Sequence, residues 1–100
     1  EHKLVFLAYE KQGCPWCVMY KSELEDLEKL YKKSIKIYKV KKGTDVAKKL
    51  RKELGFKPII YPMTYILKQD NSKKHKMIYE IYGYRDVAYI KDVFKELYIK

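Results

Sequence analysis

The 100-residue sequence is 47% hydrophobic and 15% aromatic, which supports one folded domain over residues 1–100 and argues against disorder. Its longest unbroken apolar stretch, Leu4 to Tyr9, is far shorter than the roughly 20 residues of a membrane-spanning helix, so no membrane span is expected. The formal net charge of +10 comes from lysines that mostly alternate with apolar residues, which favours a solvated surface over nucleic-acid binding; an electrostatic role with an acidic partner, a membrane or a nucleic acid stays the alternative.

The first half of the chain alternates strand and helix patterns. Residues 3–9 form a continuous apolar run, typical of a central strand buried on both faces. An amphipathic helix of about four turns follows the cysteines. Residues 35–40 predict a second strand, and residues 43–45 supply a turn and a cap for a second helix, which Gly55 ends. The apolar stripes of the two helices are Tyr20, Leu24, Leu27 and Tyr31 in the first, and Val46, Leu50 and Leu54 in the second.

The second half of the chain predicts a hairpin and a last helix. Two strand patterns, 63–67 and 77–82, flank the polar turn cluster 69–72 and predict an antiparallel pair. Asp86 caps the last helix. Its apolar stripe is Val87, Ile90, Phe94 and Leu97.

The element order β-α-β-α-β-β-α predicts the fold class. A right-handed crossover makes the first two strands parallel. We therefore predict an α/β fold in which helices cover both faces of a four-stranded mixed sheet. Its central strand is the first, and the cysteines lie at the C-terminal edge of that strand, where such sheets place their sites.

Both cysteines of the chain stand in one segment, Cys14-Pro15-Trp16-Cys17. Proline is favoured at the first position of a helix, so Pro15 makes Cys14 the N-cap. A thiolate there meets the amide hydrogens of the first turn and the positive end of the helix dipole, which we expect to lower the pKa of Cys14 below the free value of about 8.5. Cys17 precedes Tyr20 by about one helical turn and therefore lies on the same apolar face of the helix, which we expect to be buried. The spacing therefore predicts one exposed, acidic thiol and one shielded thiol, as thiol–disulfide exchange requires.

A structural disulfide and a metal site are the alternatives for this pair. A bond across two residues closes too small a loop to restrict the unfolded chain much. Zinc needs three or four protein ligands, and only His2 and His75 offer further nitrogen donors. We therefore expect no metal and no other cofactor.

The sequence resembles the thioredoxin-fold proteins over essentially its whole length. The apolar strand, C-x-x-C, long helix, second strand and helix, proline before a hairpin, and glycine before the last helix occur in that order. By this resemblance Pro62 is the cis-proline that faces the disulfide, and Tyr61 before it pairs with the substrate backbone; a trans proline that only opens a strand is the alternative. Gly83 matches the glycine that lets the chain approach the active-site loop.

The active-site segment departs from typical thioredoxins. C-P-W-C is closer to the C-P-Y-C of glutaredoxins than to C-G-P-C, yet the glutathione signature of glutaredoxins is missing. Ala8 stands where thioredoxins carry a buried Asp that helps to ionise the second cysteine, so proton transfer at Cys17 must use water or another group. Small exported bacterial thioredoxin-like proteins fit best. We expect a periplasmic or otherwise exported protein, with the cytoplasm as the alternative; because the chain begins with Glu1 and not Met, a signal peptide could have been removed.

The resemblance implies a thiol–disulfide oxidoreductase that acts on protein or small-thiol disulfides and is served by an upstream redox partner. Cys14 attacks, Cys17 resolves, and Tyr61 and Pro62 shape the substrate site. Trp16 either covers the edge of the disulfide or is an exposed contact for a partner. We expect a monomer. Two alternatives stay open: a glutathione-dependent glutaredoxin-like reductase, and a binding module that uses its basic surface without redox turnover.

Overall fold

The computed structural model describes residues 4–97, which form seven elements in the predicted order. Three residues used above lie outside the described residues: Glu1, the nitrogen donor His2, and Lys3 at the start of the first predicted strand. The elements are β1 (Leu4–Glu10), α1 (Pro15–Leu30), β2 (Ile35–Lys41), α2 (Asp45–Leu54), β3 (Met63–Gln69), β4 (His75–Tyr82) and α3 (Val87–Glu96).

The four strands form one mixed sheet in the order β2-β1-β3-β4. β1 pairs in parallel with β2, from Leu4 opposite Ile35 to Glu10 opposite Lys41, and antiparallel with β3. β3 and β4 form the antiparallel hairpin. Residues 6–9 of β1 are buried on both faces of the sheet, so the predicted central strand and the predicted α/β fold class are confirmed.

Each face of the sheet has its own apolar cluster. On the α1/α3 face, Phe6 and Ile66 of the sheet pack with Leu27 of α1 and with Ile90 and Phe94 of α3. On the α2 face, the cluster consists of Leu7, Tyr9, Val40, Phe56, Met63, Tyr65 and Leu67, with Ala47 and Leu50 of α2 packed against it. Helices therefore cover both faces, as predicted.

The predicted apolar stripe of α2 is wrong at two of its three positions, Val46 and Leu54, and right at Leu50. Val46 is 59% exposed and Leu54 40% exposed, whereas Ala47 and Leu50 face the sheet. Successive residues of a helix are about 100° apart, so residues spaced by four lie side by side but are gradually displaced around the helix axis. Positions 47 and 50, spaced by three, therefore define a second face that can be buried equally well. Packing against β1 and β2 selects the second face.

The ends of the helices follow the predicted signals. The Asp86 carboxylate accepts the Tyr89 N–H at 2.9 Å at the start of α3, and Gly55 ends α2 with a φ of +74°. Within residues 4–97 no helix has the length and apolar character needed to cross a bilayer.

Candidate active site

The two cysteines form a disulfide at the start of α1, with their Cα atoms 5.2 Å apart. Cys14 is the N-cap of the helix and Pro15 is its first residue, which agrees with the predicted cap. The backbone N–H of Cys17 donates to Cys14 Sγ at 3.1 Å. The Cys14 sulfur therefore lies where amide hydrogens and the helix dipole stabilise negative charge.

The prediction of one exposed and one shielded cysteine is wrong for this disulfide form, because each residue is 6% exposed. The carbonyl oxygen of Tyr61 lies 3.8 Å from Cys14 Sγ and helps to cover it. Sequence reasoning placed Pro62 opposite the disulfide but judged the exposure of Cys14 from the helix start alone, and so missed that the Tyr61 carbonyl covers the sulfur. The two sulfurs differ in hydrogen bonding and not in exposure.

The segment that covers Cys14 contains Pro62. The Tyr61–Pro62 peptide bond is cis, and Pro62 is buried. The Pro62 carbonyl accepts the N–H of Gly83 at 2.9 Å, which joins this segment to the end of β4. The structure thus brings Tyr61, Pro62 and Gly83 to the same edge of the sheet as the cysteines.

The reason expected for Gly83, a close approach of the chain, is wrong. A Cβ at this position would lie 3.8 Å from Cδ1 of Ile60, which is an ordinary contact. The residue has a φ of +76°, a backbone conformation that residues with a side chain rarely adopt. Glycine is therefore required for its backbone conformation.

A buried hydrogen bond between the hydroxyls of Tyr20 and Thr64, 2.8 Å long, ties the cysteine helix to β3. Tyr20 follows Cys17 by one helical turn, and Thr64 follows Pro62 by two residues. Burial raises the pKa of Tyr20 to about 12, outweighing the opposite effect of the Thr64 hydrogen bond, so the phenol stays neutral at physiological pH. Sequence reasoning missed this bond, since nothing local links two residues 44 positions apart.

Trp16 is 55% exposed beside the disulfide. Its ring centroid lies 5.4 Å from that of Tyr84, whose hydroxyl donates to Glu23 Oε1 at 3.3 Å. One side of the indole is thus held by Tyr84 while the other is open to solvent. Both roles predicted for Trp16 stay predictions.

A cleft of about 620 Å³ opens beside the disulfide. Its charged lining consists of three lysines, Lys11, Lys21 and Lys41, and one glutamate, Glu10.

A small cavity of about 10 Å³ adjoins Cys17 and Ala8, and this volume is close to the least that holds one water molecule. Glu10, Lys21 and Lys39 also line this cavity, so a carboxylate and two lysines lie around it in the absence of the Asp. Within residues 4–97, no three His, Cys, Asp or Glu side chains are grouped as a metal site requires.

The sequence matches no protein-family model and no curated protein. The structure is similar to thioredoxin-2, a component of the malaria parasite protein secretion machinery, with a TM-score of 0.72 and 21% identity over 94% of this chain and 82% of that one. It is also similar to a thioredoxin from Thermus thermophilus (TM-score 0.74, 14% identity, 95% and 73% covered) and to Trichomonas vaginalis thioredoxin (0.68, 21%, 94% and 78%).

The sheet order makes this an α/β protein, and its cysteine pair lies at the start of the first helix. The fold is the thioredoxin fold, as the sequence predicted.

Proposed function

We propose that the protein is a thiol–disulfide oxidoreductase. The observation that carries this proposal is the position of Cys14 Sγ, which caps α1, accepts the Cys17 N–H at 3.1 Å and is bonded to the second cysteine. When the disulfide is reduced, the same N–H and the helix dipole stabilise the Cys14 thiolate. A stabilised thiolate beside a second thiol is the arrangement that disulfide exchange uses.

In the reduced protein, the Cys14 thiolate attacks one sulfur of the substrate disulfide. The substrate S–S bond breaks, and its other sulfur leaves as a thiolate that takes up a proton. Cys17 then loses its proton, attacks Cys14 Sγ in the mixed disulfide and releases the second substrate thiol. Two electrons have passed to the substrate, and a dithiol partner returns them. The reverse sequence oxidises a substrate dithiol.

The surroundings of the disulfide support this mechanism. The Tyr61 carbonyl oxygen lies against Cys14 Sγ, and Pro62 lines a small cavity with Cys17, so a substrate chain bound at this segment would meet the disulfide. The Tyr20–Thr64 bond holds the helix and the Pro62 segment together, so the attacking sulfur and the substrate segment keep their geometry. The likeness of the fold to thioredoxins points to the same chemistry.

Catalysed reduction of a peptide disulfide by dithiothreitol tests the proposal. The wild-type protein should accelerate the reaction, and the Cys14→Ser/Cys17→Ser variant should not. Turnover with glutathione but not with dithiothreitol would favour the glutaredoxin-like alternative. No turnover, with polyanion binding that falls steeply with salt and persists in the double variant, would favour the binding module.

We further propose that the protein works as an exported monomer. The proposal of export rests on the resemblance of the sequence as a whole to small exported bacterial thioredoxin-like proteins. Alkylation of free thiols in intact cells, followed by fractionation, would show the compartment and the redox state of the pair. Sedimentation at several concentrations would show the oligomeric state.

A further inference from the structure

Two lysines stand over the ring of Tyr61, the residue whose carbonyl oxygen lies beside Cys14 Sγ. The Nζ atoms of Lys11 and Lys42 are 5.5 Å and 5.9 Å from the ring centroid. An ammonium group over an aromatic face is attracted by the negative face of the ring. Both side chains are exposed. The ring therefore gathers two solvent-accessible positive charges on the residue whose backbone contacts Cys14.

Strand pairing places the two lysines together. Glu10 and Lys41 are partners at the ends of the parallel strands β1 and β2, and the Lys42 N–H donates to the Glu10 carbonyl at 2.8 Å. Lys11 and Lys42 thus follow two hydrogen-bonded strand ends. Their juxtaposition is fixed by the sheet, and only the side chains are free to adjust.

The neighbouring cleft carries charge of the same sign. Lys11, Lys21 and Lys41 line it, with Glu10 as the acidic member of the lining. A concave surface lined mainly by one sign of charge concentrates ligands of the opposite sign. The cleft beside the disulfide therefore favours anionic substrates.

Exposed apolar side chains adjoin this basic site. Ile59 is 80% exposed and Ile60 45% exposed, immediately before Tyr61, and Trp16 is exposed between the two cysteines. Apolar and aromatic residues bordered by charges are typical of surfaces that bind a polypeptide. A small acidic thiol matches the charge but is too short to cover these residues as well.

We propose that the substrate is a polypeptide with carboxylates close to its reactive cysteine, bound by Lys11 and Lys42 at the ring of Tyr61. This inference rests on the proposed thiol–disulfide exchange and specifies its substrate. The carboxylates take no part in bond making or breaking. They hold the substrate cysteine near Cys14, so their effect falls mainly on KM.

The test uses three peptides with the same disulfide, in which the residues flanking the cysteines are Glu, Gln or Lys. With dithiothreitol as reductant at low salt, kcat/KM should fall in that order. An exposed ion pair changes affinity by roughly 1.4- to 5-fold, so two pairs should give the Glu peptide an advantage of roughly 2- to 25-fold over the Gln peptide. At about 1 M salt, where the screening length is about 3 Å, the advantage should vanish.

Two double variants locate the effect. Lys11→Gln/Lys42→Gln should bring the Glu-to-Gln ratio close to one. Lys33→Gln/Lys76→Gln makes the same change in net charge at the opposite end of the sheet, where Ile35 and Lys68 flank Leu4, and should keep the wild-type ratio. Circular dichroism of both variants checks that they fold.

The outcomes separate this inference from the proposed function. No exchange with any peptide overturns the proposed function, whereas exchange at equal rates with all three overturns only the substrate inference. Equal peptide rates combined with faster turnover of glutathione disulfide would identify a small acidic substrate instead. Equal loss of the ratio in both double variants would show that net charge, and not the lysine pair at Tyr61, is responsible.

Discussion

The two faces of the sheet are packed to different degrees. On the α1/α3 face, α1 buries Cys17, Tyr20, Leu24 and Leu27, and α3 buries Ile90, Val93 and Phe94. On the α2 face, α2 has no fully buried residue, and a groove of about 490 Å³ lies between it and the sheet. The cysteines belong to the well-packed face. The candidate active site is therefore built on the better-packed half of the molecule.

The same difference holds for polar groups. On the α1/α3 face, Tyr20 bonds to Thr64, and the Glu23 carboxylate accepts from the Tyr84 hydroxyl and the Val87 N–H, each at 3.3 Å. On the α2 face, the buried hydroxyl of Tyr9 has no hydrogen-bond partner among residues 4–97. Paired polar groups specify one geometry, whereas an unpaired one only costs free energy. Precise positioning is thus concentrated where the chemistry is proposed.

The largest expected effect concerns the two sulfurs themselves. Cys17→Ser should accumulate mixed disulfides with substrates, because Cys14 still attacks but no second thiol resolves the adduct. Cys14→Ser should accumulate few, since the Cys17 N–H and the helix dipole favour a thiolate at position 14, whereas its remaining thiol at Cys17 stays mainly protonated. Non-reducing gels of extracts, with the double variant as control, provide the measurement. Equal trapping by both single variants would contradict the assigned roles.

Leucine truncation should separate the two faces next. Leu27→Ala removes a fully buried side chain of α1 and should lower the free energy of unfolding by about 3–5 kcal/mol. Leu50→Ala truncates a half-buried side chain beside an existing groove, and we expect a loss of about 1 kcal/mol. Urea titrations of the oxidised proteins measure both. Similar losses would mean that the two faces are packed equally well.

The packing difference was only partly predictable from the sequence. Strand order, the Cys14 and Asp86 caps and the Gly55 stop follow local rules and were predicted. The orientation of α2 was not, because its few apolar residues fit two adjacent faces about equally. The added burial of Val93 in α3 was missed for a similar reason, since its neighbour Phe94 already satisfied the helical period.

Within the candidate site, the sequence predicted which residues meet but not how they contact each other. Cys14, Cys17 and Pro62 were placed by motif and order. The cover over Cys14 and the Tyr20–Thr64 bond depend on the relative position of α1 and β3, which no local pattern encodes. The adjacency of Lys11 and Lys42 follows from the parallel register of β1 and β2, but their position over Tyr61 requires the folded loop.

Unfolding at alkaline pH tests the burial of one tyrosine on each face of the sheet. Burial raises the pKa of Tyr20 and of Tyr9 from 10.0 to about 12, with Tyr65 adding to the shift at Tyr9. Between pH 10 and 12 the unfolded chain loses protons that the folded protein keeps, so stability is complete below pH 10 and falls as pH rises. The slope is about 1.4 kcal/mol per pH unit for each tyrosine. Urea unfolding at pH 9 to 11.5 measures it, and a Tyr9→Phe/Tyr20→Phe variant with the wild-type slope would contradict the assignment.

The smallest expected effects distinguish the two faces most clearly, because a Tyr→Phe substitution should lower the free energy of unfolding on one face and raise it on the other. Tyr20→Phe leaves the buried Thr64 hydroxyl without its partner and should destabilise the protein by about 1–3 kcal/mol. Tyr9→Phe removes a buried hydroxyl that has no partner among residues 4–97 and should stabilise it by up to about 1 kcal/mol. Both variants keep the ring, so the T-shaped contact between Tyr9 and Tyr65 is retained and the loss of apolar area is minimal. Urea titrations at pH 7, where both phenols are neutral, isolate the hydroxyl contribution. Destabilisation of equal size by both substitutions would mean that Tyr9 has a hydrogen-bond partner in solution and that the α2 face is as well satisfied as the other.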